Sequence, residues 1–451
     1  MANSYLSSNT GTATNAKKFT YSVWLKKSKI ATEQRFYQGY KDSNNRAYAM
    51  FLTSDKLRVY NMTAGSIEVY WDSTRVFRDT NAWYHIVLHA DSTQAAQADR
   101  FKVYVNGVEE TDFTKNYNPG QNIDWGNQLA QTNGDLTISG TESQTQLFEG
   151  YMSHAAFVDG TALTPTSFGE TDSTSGIWKF KSPTGITWGN NGYHLKFENS
   201  GAMGTDSSGN SNTFTVNGDL KQALDTPSNV YATLNPLNVP ISNAPTFSLG
   251  NTKVATMNSD PGHFGGASTL GASSGKYYFE VKLSASTSGQ PFLIGVSYDP
   301  FEMARQGTTF SAQYAAPTYL YYGYNGNKFN NNSNSAYGNS YTVNDIVGVA
   351  LDLDNHKLYF HKNGTYQNSG VPTSGSTGTG SAFDLTTGKT YFPVCTDGGG
   401  SVCTFEFNFG NGYFGTTAIT SAGSNGNGSL FEYDVPTGYY ALNTKNINTY
   451  G

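Results

Sequence analysis

Cysteine is nearly missing. The 451-residue chain holds two, so no disulfide framework staples it. So little cysteine in a chain rich in glycine and aromatics fits folding in a reducing cytosol. Basic residues are outnumbered, 28 against 34, for a net charge of −6. A nucleic-acid partner needs a basic face and is disfavoured. No block of like charge marks a tail or a polybasic membrane patch. No apolar run approaches the ~18 residues of a membrane helix, so no membrane insertion is expected. The opening MANSYLSSNTGTATNAKKF has no apolar stretch of the kind a secretory signal carries. A protein of this kind acting outside a cell would leave by another route, such as viral lysis. Helical periodicity is nearly absent too, and only short turns near residues 93–99 and 301–306 are expected.

What the chain does have is period-two alternation from end to end. In FTYSVWLK, Phe19, Tyr21, Val23 and Leu25 face one way and Thr20, Ser22 and Lys26 the other. Phe101, Val103 and Val105 share a face before an Asn106-Gly107 turn. Tyr277, Phe279, Val281 and Leu283 line up likewise, as do Phe405, Phe407 and Phe409. Bounded by Asn, Gly, Asp and Ser, these segments read as antiparallel strands and hairpins. The fold class is all-β: two antiparallel β-sandwich (jelly-roll) domains in tandem. Composition sets the boundaries at an arm (1–17), a first sandwich (18–200), a Gly/Asn/Pro-rich connector (201–245), a second sandwich (246–414) and a tail (415–451). One phrase recurs: Asp225-x-Pro227-x-x-x-Tyr231-Ala232 with Leu234-Asn235 returns as Asp434-x-Pro436-x-x-x-Tyr440-Ala441 with Leu442-Asn443. Two modules, each closed by a similar docking segment, are the expectation; chance in a biased composition is the competing reading.

The pieces GKYYFEVKL (275–283), IGVS (294–297), GYNG (323–326), DIVGVALDLDNHKLYFHKNG (345–364), YFPVC (391–395) and FEFNFG (405–410) resemble the SPRY domain in order and spacing. That resemblance implies a binding module, not an enzyme. It makes 351–364 a framework hairpin, with Leu351, Leu353, Leu358 and Phe360 inward and Asp354 and Asn355 turning. FTYSVWLKKS (19–28), WYHIVLHAD (83–91), RFKVYVNGVE (100–109) and LFEGYMSHAAFVDGTAL (147–163) resemble the LamG/concanavalin A-like jelly roll. That family implies glycan or protein binding, often with calcium, and a minority are glycanases. Residues 176–215, 225–237 and 436–447 look like a pattern recurrent in virion structural proteins of tailed, marine-type bacteriophages.

Each candidate chemistry has a plain competitor. A glycanase needs two carboxylates flanking the scissile bond. Glu110-x-Asp112 and Glu170-x-Asp172 each lack the third acid of the jelly-roll glucanase pattern and sit among turn residues. His85 and His89 are four strand steps apart, about 13 Å, too far to chelate one ion. Cys395 and Cys403 bracket a three-glycine turn that would set them opposite each other; two buried thiols are preferred to a disulfide. Asp206, Asn210 and Asn212 offer hard oxygen ligands for calcium, against a plain Asx-rich loop. Aromatics with amides suit sugar or protein recognition. Tyr319, Tyr322, Tyr324, Asn325, Asn327 and Phe329 are therefore the candidate ligand contacts, although alternation buries every second strand residue. Trp125 and Trp188 are candidates for exposure.

The function expected is a non-enzymatic virion protein, fibre or tail-associated. It would bind a host-surface glycan or protein through sandwich loops and contact other virion proteins as a homo-oligomer. It needs no cofactor, calcium apart. The alternatives are a capsid-decorating or fibre-building subunit, marked by apolar contact patches, and a glycan-degrading enzyme. Residues 1–17 and the repeated phrases are the candidate particle anchors.

Overall fold

The computed structural model describes residues 4–128, 131–240, 243–257, 264–287, 292–301, 317–331, 333–397 and 402–451. The chain divides into two compact units, Met1–Gln222 and Ala223–Gly451. Among the described residues both are built almost wholly of antiparallel strands.

The first unit holds an eight-stranded and a six-stranded sheet. The eight strands run, in spatial order, Phe113–Tyr117, Ser66–Val76, Lys56–Thr63, Asn45–Phe51, Gln34–Asp42, Gln131–Ile138, Tyr5–Thr10 and Thr215–Asn217. The six run Tyr193–Leu195, Gly150–Asp159, Lys18–Lys27, Tyr84–Asp91, Phe101–Val105 and Val108–Glu109. Phe19, Tyr21, Val23 and Leu25 enter one apolar core with Phe36, Phe51, Val59, Val69, Ile86, Leu88, Phe101 and Val103. Full burial of each such side chain is worth about 1.5–3 kcal/mol. Asn106 and Gly107 turn with φ of 50° and 81°, the left-handed pair that a tight hairpin requires.

Two expectations change here. Residues 1–17 are not a free arm: Tyr5–Thr10 pairs with strands on both sides and Leu6 is in the core. Thr20, Ser22 and Lys26, which do face the other way, are buried as well. On their side of the six-stranded sheet Ala156 and Val158 pack with Phe168, Leu163, Ile186 and Trp188 from the following segment. Residues 201–245 are not a simple connector either. Phe214 belongs to the first core, and Ala232 and Leu234 to the second.

The second unit sets a nine-stranded sheet beside a six-stranded one. Lys276–Ser286 pairs with Ile346–Asp352 and with Cys403–Asn408. The hairpin at 351–364 is framework: Leu351, Leu353, Leu358 and Phe360 are core residues, and Asp354 accepts the Gly275 N–H at 2.7 Å. Cys395 and Cys403 are free, buried thiols. They are not opposed on one hairpin ladder, because their strands belong to different sheets; the turn at 398–400 lies outside the described residues. The turn expected at 93–99 appears as a 3-10 turn at Gln97–Asp99; residues 302–306 lie outside the described residues.

The two copies of the repeated phrase do not close separate modules. Both lie in the second unit and pair with each other. Tyr231 bridges Asn443, the Ala232 N–H donates to Leu442 O at 3.0 Å, and the Thr444 N–H donates to Val230 O at 2.9 Å. Tyr440–Ala441 also extends the large sheet in parallel beside Tyr277–Tyr278. Beyond it a short helix, Thr444–Tyr450, was not expected from the sequence. Asn443 caps it, accepting the Asn446 N–H at 2.8 Å.

Candidate binding face

The predicted aromatic loop is mostly core. Tyr319, Tyr322 and Phe329 are buried. Tyr319 packs between the sheets, and Tyr322 and Phe329 meet edge-to-face at 5.2 Å. Both faces of the strand Thr318–Tyr322 are covered: Tyr319 and Tyr321 enter the main core, and Leu320 and Tyr322 join Phe329 in a second apolar cluster. Tyr324 is exposed. Asn325 accepts the Asn327 N–H at 3.0 Å, and the Asn327 amide donates to Asn334 at 3.1 Å. Asn325 is exposed beside Tyr324 and Asn327 is half-buried, and both shape the hairpin.

The calcium reading gains no support, because both Asp206 oxygens are already engaged. Asp206 Oδ1 accepts the His194 and Ser208 N–H groups, and Oδ2 accepts the Ser208 hydroxyl and the Asn212 N–H, all within 2.9 Å. Asn210 and Asn212 turn their amide nitrogens inward, donating to Gly189, Asn190 and Gly192 carbonyls. The loop is a hydrogen-bonded knot. Among the described residues no group of three or more His, Cys, Asp or Glu side chains could hold a metal ion. Adding calcium or EDTA should therefore leave the melting temperature unchanged. A calcium-dependent rise of several degrees in differential scanning calorimetry would restore the metal reading.

The glycanase carboxylates are engaged as well. Asp172 accepts the Thr174 and Ser175 N–H groups and pairs with Lys179 at 3.0 Å. The Ser175 amide and Lys179 hold its carboxyl well below the usual range, the wrong direction for a general acid. Glu170 also meets Lys179, and Glu110 meets Arg75.

His85 invites a different suspicion, since its Nε2 lies 2.8 Å from Ser22 Oγ. The partner on its other nitrogen decides the matter. Trp178 Nε1 lies 2.9 Å from His85 Nδ1, and an indole N–H only donates. The His85 proton is therefore on Nε2 and points at the serine, so the ring cannot act as base toward Ser22. Trp24 stacks on the ring at 4.6 Å, and burial pushes its pKa down to about 3. His85 is structural. Of the two candidates for exposure, Trp125 is wholly buried and Trp188 half-buried.

The site that sequence reasoning missed lies on the eight-stranded sheet, on the side away from the core. Gln38, Tyr48, Tyr60, Tyr70 and Tyr117 are successive cross-strand partners on five neighbouring strands. Ala49, Val59, Val69 and Trp71, next to them in sequence, face the core, so alternation turns the tyrosines away from it; Tyr117 is exposed, Tyr48 and Tyr70 are half-buried, and Gln38 and Tyr60 are buried in the row. The Tyr48 and Tyr60 rings stack at 4.8 Å, and Tyr70 meets Tyr60 edge-on at 5.9 Å. Arg35 lies 4.0 Å over Tyr48, Arg58 4.7 Å over Tyr70, and Arg46 5.8 Å from the Tyr60 ring centre.

Cross-strand aromatic pairs and Arg–ring contacts hold many sheets together. Here they also leave donors unspent. Among the described residues the Tyr48, Tyr60 and Tyr70 hydroxyls have no hydrogen-bond partner and are not enclosed. Burial raises the Tyr48 phenol above its ordinary pKa, so it stays a neutral donor. With Tyr48 and Tyr60 stacked and Tyr70 edge-on to them, the row offers hydroxyl edges and cations, which suits a polyhydroxylated ligand better than an apolar one. The clue was in the sequence: Arg46-x-Tyr48, Arg58-x-Tyr60 and Tyr70-x-Asp72 repeat one polar spacing on three consecutive strands.

Two sandwiches of antiparallel strands, one with a sheet face that carries unspent hydrogen-bonding groups, define a tandem β-sandwich protein. Its parts are identifiable. Residues 1–167 match the model of the concanavalin A-like lectin/glucanases superfamily, and residues 276–412 match the SPRY domain. The chain thus carries a LamG/concanavalin A-like domain and a SPRY domain. Over 112 residues it is 29% identical to the Ran-binding proteins 9/10 homolog of Drosophila melanogaster, a stretch covering 25% of this chain and 11% of that protein. Among solved structures, the SPRY domain of human HERC1 is similar at 20% identity and a TM-score of 0.30, over 39% of this chain and 96% of that one. A candidate carbohydrate binding protein from Bacteroides ovatus is similar at 19% identity and a TM-score of 0.35, over 50% of this chain and 59% of that one.

Proposed function

We propose that the protein is a non-enzymatic adhesin of a tailed-phage-type particle that grips a host-surface glycan through the Tyr48–Tyr60–Tyr70 face. The observation that carries the binding reading is the row of unpartnered hydroxyls beside arginines on an outward sheet face. The lectin-type first domain supports a glycan as the ligand. The engaged carboxylates and the donating His85 argue against hydrolysis. The virion setting rests on the resemblance of residues 176–215, 225–237 and 436–447 to phage structural proteins.

The triple variant Tyr48→Phe/Tyr60→Phe/Tyr70→Phe keeps every ring contact and removes three hydroxyls. Each hydrogen bond is worth about 1 kcal/mol, so host-cell binding should weaken at least about tenfold while the melting temperature holds. Unaltered adsorption by a folded triple variant would sink the face as the site. Gold-labelled antibody on intact particles tests the setting. Label at the tail supports the adhesin, label over the head points to a decorating subunit, and unlabelled particles remove the virion reading.

A further inference from the structure

We infer that the ligand of the tyrosine face is an acidic polysaccharide, its carboxylate or sulfate seated on Arg46 while the tyrosine hydroxyls hold its alcohol groups. The inference rests on the binding-face reading above. Three guanidinium groups stand on that face, and two are already engaged. Arg58 makes a two-pronged pair with Asp72, both contacts at 2.7 Å. Arg35 donates to Gln38 Oε1, and the Gln38 amide N–H donates in turn to the Glu142 carboxylate. Arg46 is left. Among the described residues its guanidinium takes part in no hydrogen bond or ion pair, and its Nε is enclosed without a partner. Its cross-strand neighbours are Tyr40 and Met62, neither of which carries a charge.

A cation left in this condition selects its ligand. A neutral polysaccharide lying across the row would displace water from Arg46 and give its charge nothing in return, which is costly. An acidic one supplies the missing anion, and a guanidinium takes carboxylate or sulfate oxygens through two parallel N–H groups. The face's own carboxylates do not compete, because Asp72 is held by Arg58 and Glu142 by Gln38. The chain as a whole is negative, at −6, so attraction to a polyanion has to be local.

Three polymers separate the possibilities: polygalacturonate for carboxylate, dextran sulfate for sulfate, and plain dextran as the neutral partner of the second. Titrating the full chain by calorimetry should show binding to at least one polyanion and none to dextran, weakening as sodium chloride rises. Which polyanion binds names the group. Arg46→Gln should lower that affinity about tenfold or more, as loss of a charge-assisted pair does. Lys445→Gln, the same charge change at an exposed site in the second unit, should leave it alone. Binding of dextran as tight as dextran sulfate, no binding of either polyanion, or polyanion binding that Arg46→Gln does not weaken would each overturn the inference. The first and third leave the binding face standing. That face itself fails only if the triple phenylalanine variant binds as the native chain does.

Discussion

Asp55→Ala will destabilise the first unit by about 3–5 kcal/mol, the usual cost of stripping one partner from a buried ion pair. Asp55 turns the chain between two strands of the large sheet, at φ 60°, and its side chain is wholly buried, as is that of Lys27. Lys27 Nζ lies 2.9 Å from Asp55 Oδ1 and 3.1 Å from Phe77 O, and 4.6 Å over the Phe51 ring. The Ala31 N–H also donates to Oδ1 at 2.8 Å, and Arg78 Nε reaches Oδ2 at 3.0 Å. Burial alone would raise the Asp55 carboxyl, but Lys27, the Ala31 amide and Arg78 outweigh it and hold it below the usual range. The Asp55 carboxylate is therefore charged at neutral pH, and its contribution fades as pH falls through that depressed value. Alanine would leave an ammonium group among Phe51, Phe77 and the core with one carbonyl for company. Lys27→Met/Asp55→Ala should recover part of the loss, since an apolar side chain replaces the stranded charge. Urea unfolding of the first unit decides it: a loss under about 1 kcal/mol for Asp55→Ala would mean that water or Arg78 compensates.

How much of this was written in the sequence depends on the range of the interaction. Strands, hairpin turns and inward faces come from local rules, so Phe19 to Leu25, Asn106-Gly107 and the hairpin at 351–364 were legible. Both domain types were legible too, because their motifs sit within strands. The outward side of a strand is a different matter. Alternation marks Thr20, Ser22 and Lys26 as facing away from the core, but it cannot say that the segment after residue 160 will cover that side. The same blindness hid the site. Tyr48, Tyr60 and Tyr70 are ordinary outward residues until register puts them in one row, and register is a long-range property. Conversely, Tyr319, Tyr322 and Phe329 drew attention because they are close in sequence, which says nothing of exposure. The repeated phrase was visible as a repeat, but only pairing between residues 200 apart reveals that its two copies hold each other. The polar opening 1–17 misleads because its backbone pairs with strands distant in sequence, and the loop around Asp206 because its carboxylate is spent within the loop and on nearby His194.

The second unit will lose stability as pH rises from about 4.5 to 7 through one buried acid, by on the order of 3 kcal/mol. Glu280 is wholly buried. Its Oε1 accepts the Tyr278 hydroxyl and the Tyr433 N–H, both at 2.9 Å; its Oε2 accepts the Asn408 amide at 3.1 Å and the Glu432 N–H at 2.9 Å. It is thus the point at which the C-terminal segment is tied to the large sheet. Behind it the Gly364 N–H donates to His361 Nδ1, so the His361 proton sits on Nε2 and points at the Tyr278 oxygen 2.6 Å away. Desolvation outweighs the four donors and pushes the Glu280 carboxyl up to about 7. The folded state then holds a proton that the unfolded chain, with an ordinary glutamate, gives up near pH 4.5. Between those values folding takes up a proton, so stability falls as pH rises, and above 7 the full penalty remains. Buried histidines act in the opposite sense. His361, like His85, His154 and His194 in the first unit, is pushed down to about 3 or 4. Each gains stability as pH climbs toward the ordinary histidine value. The measurement is therefore a difference, the unfolding free energy of native chain minus Glu280→Gln, taken at pH 5 and pH 8. Glutamine cannot satisfy all four donors with one oxygen, so the variant should be weaker at both pH values. Its disadvantage should shrink at pH 8, where the native chain carries the buried charge and the amide does not. A difference that stays constant between pH 5 and 8 would show that the carboxylate titrates normally and that its four donors, not desolvation, set its pKa.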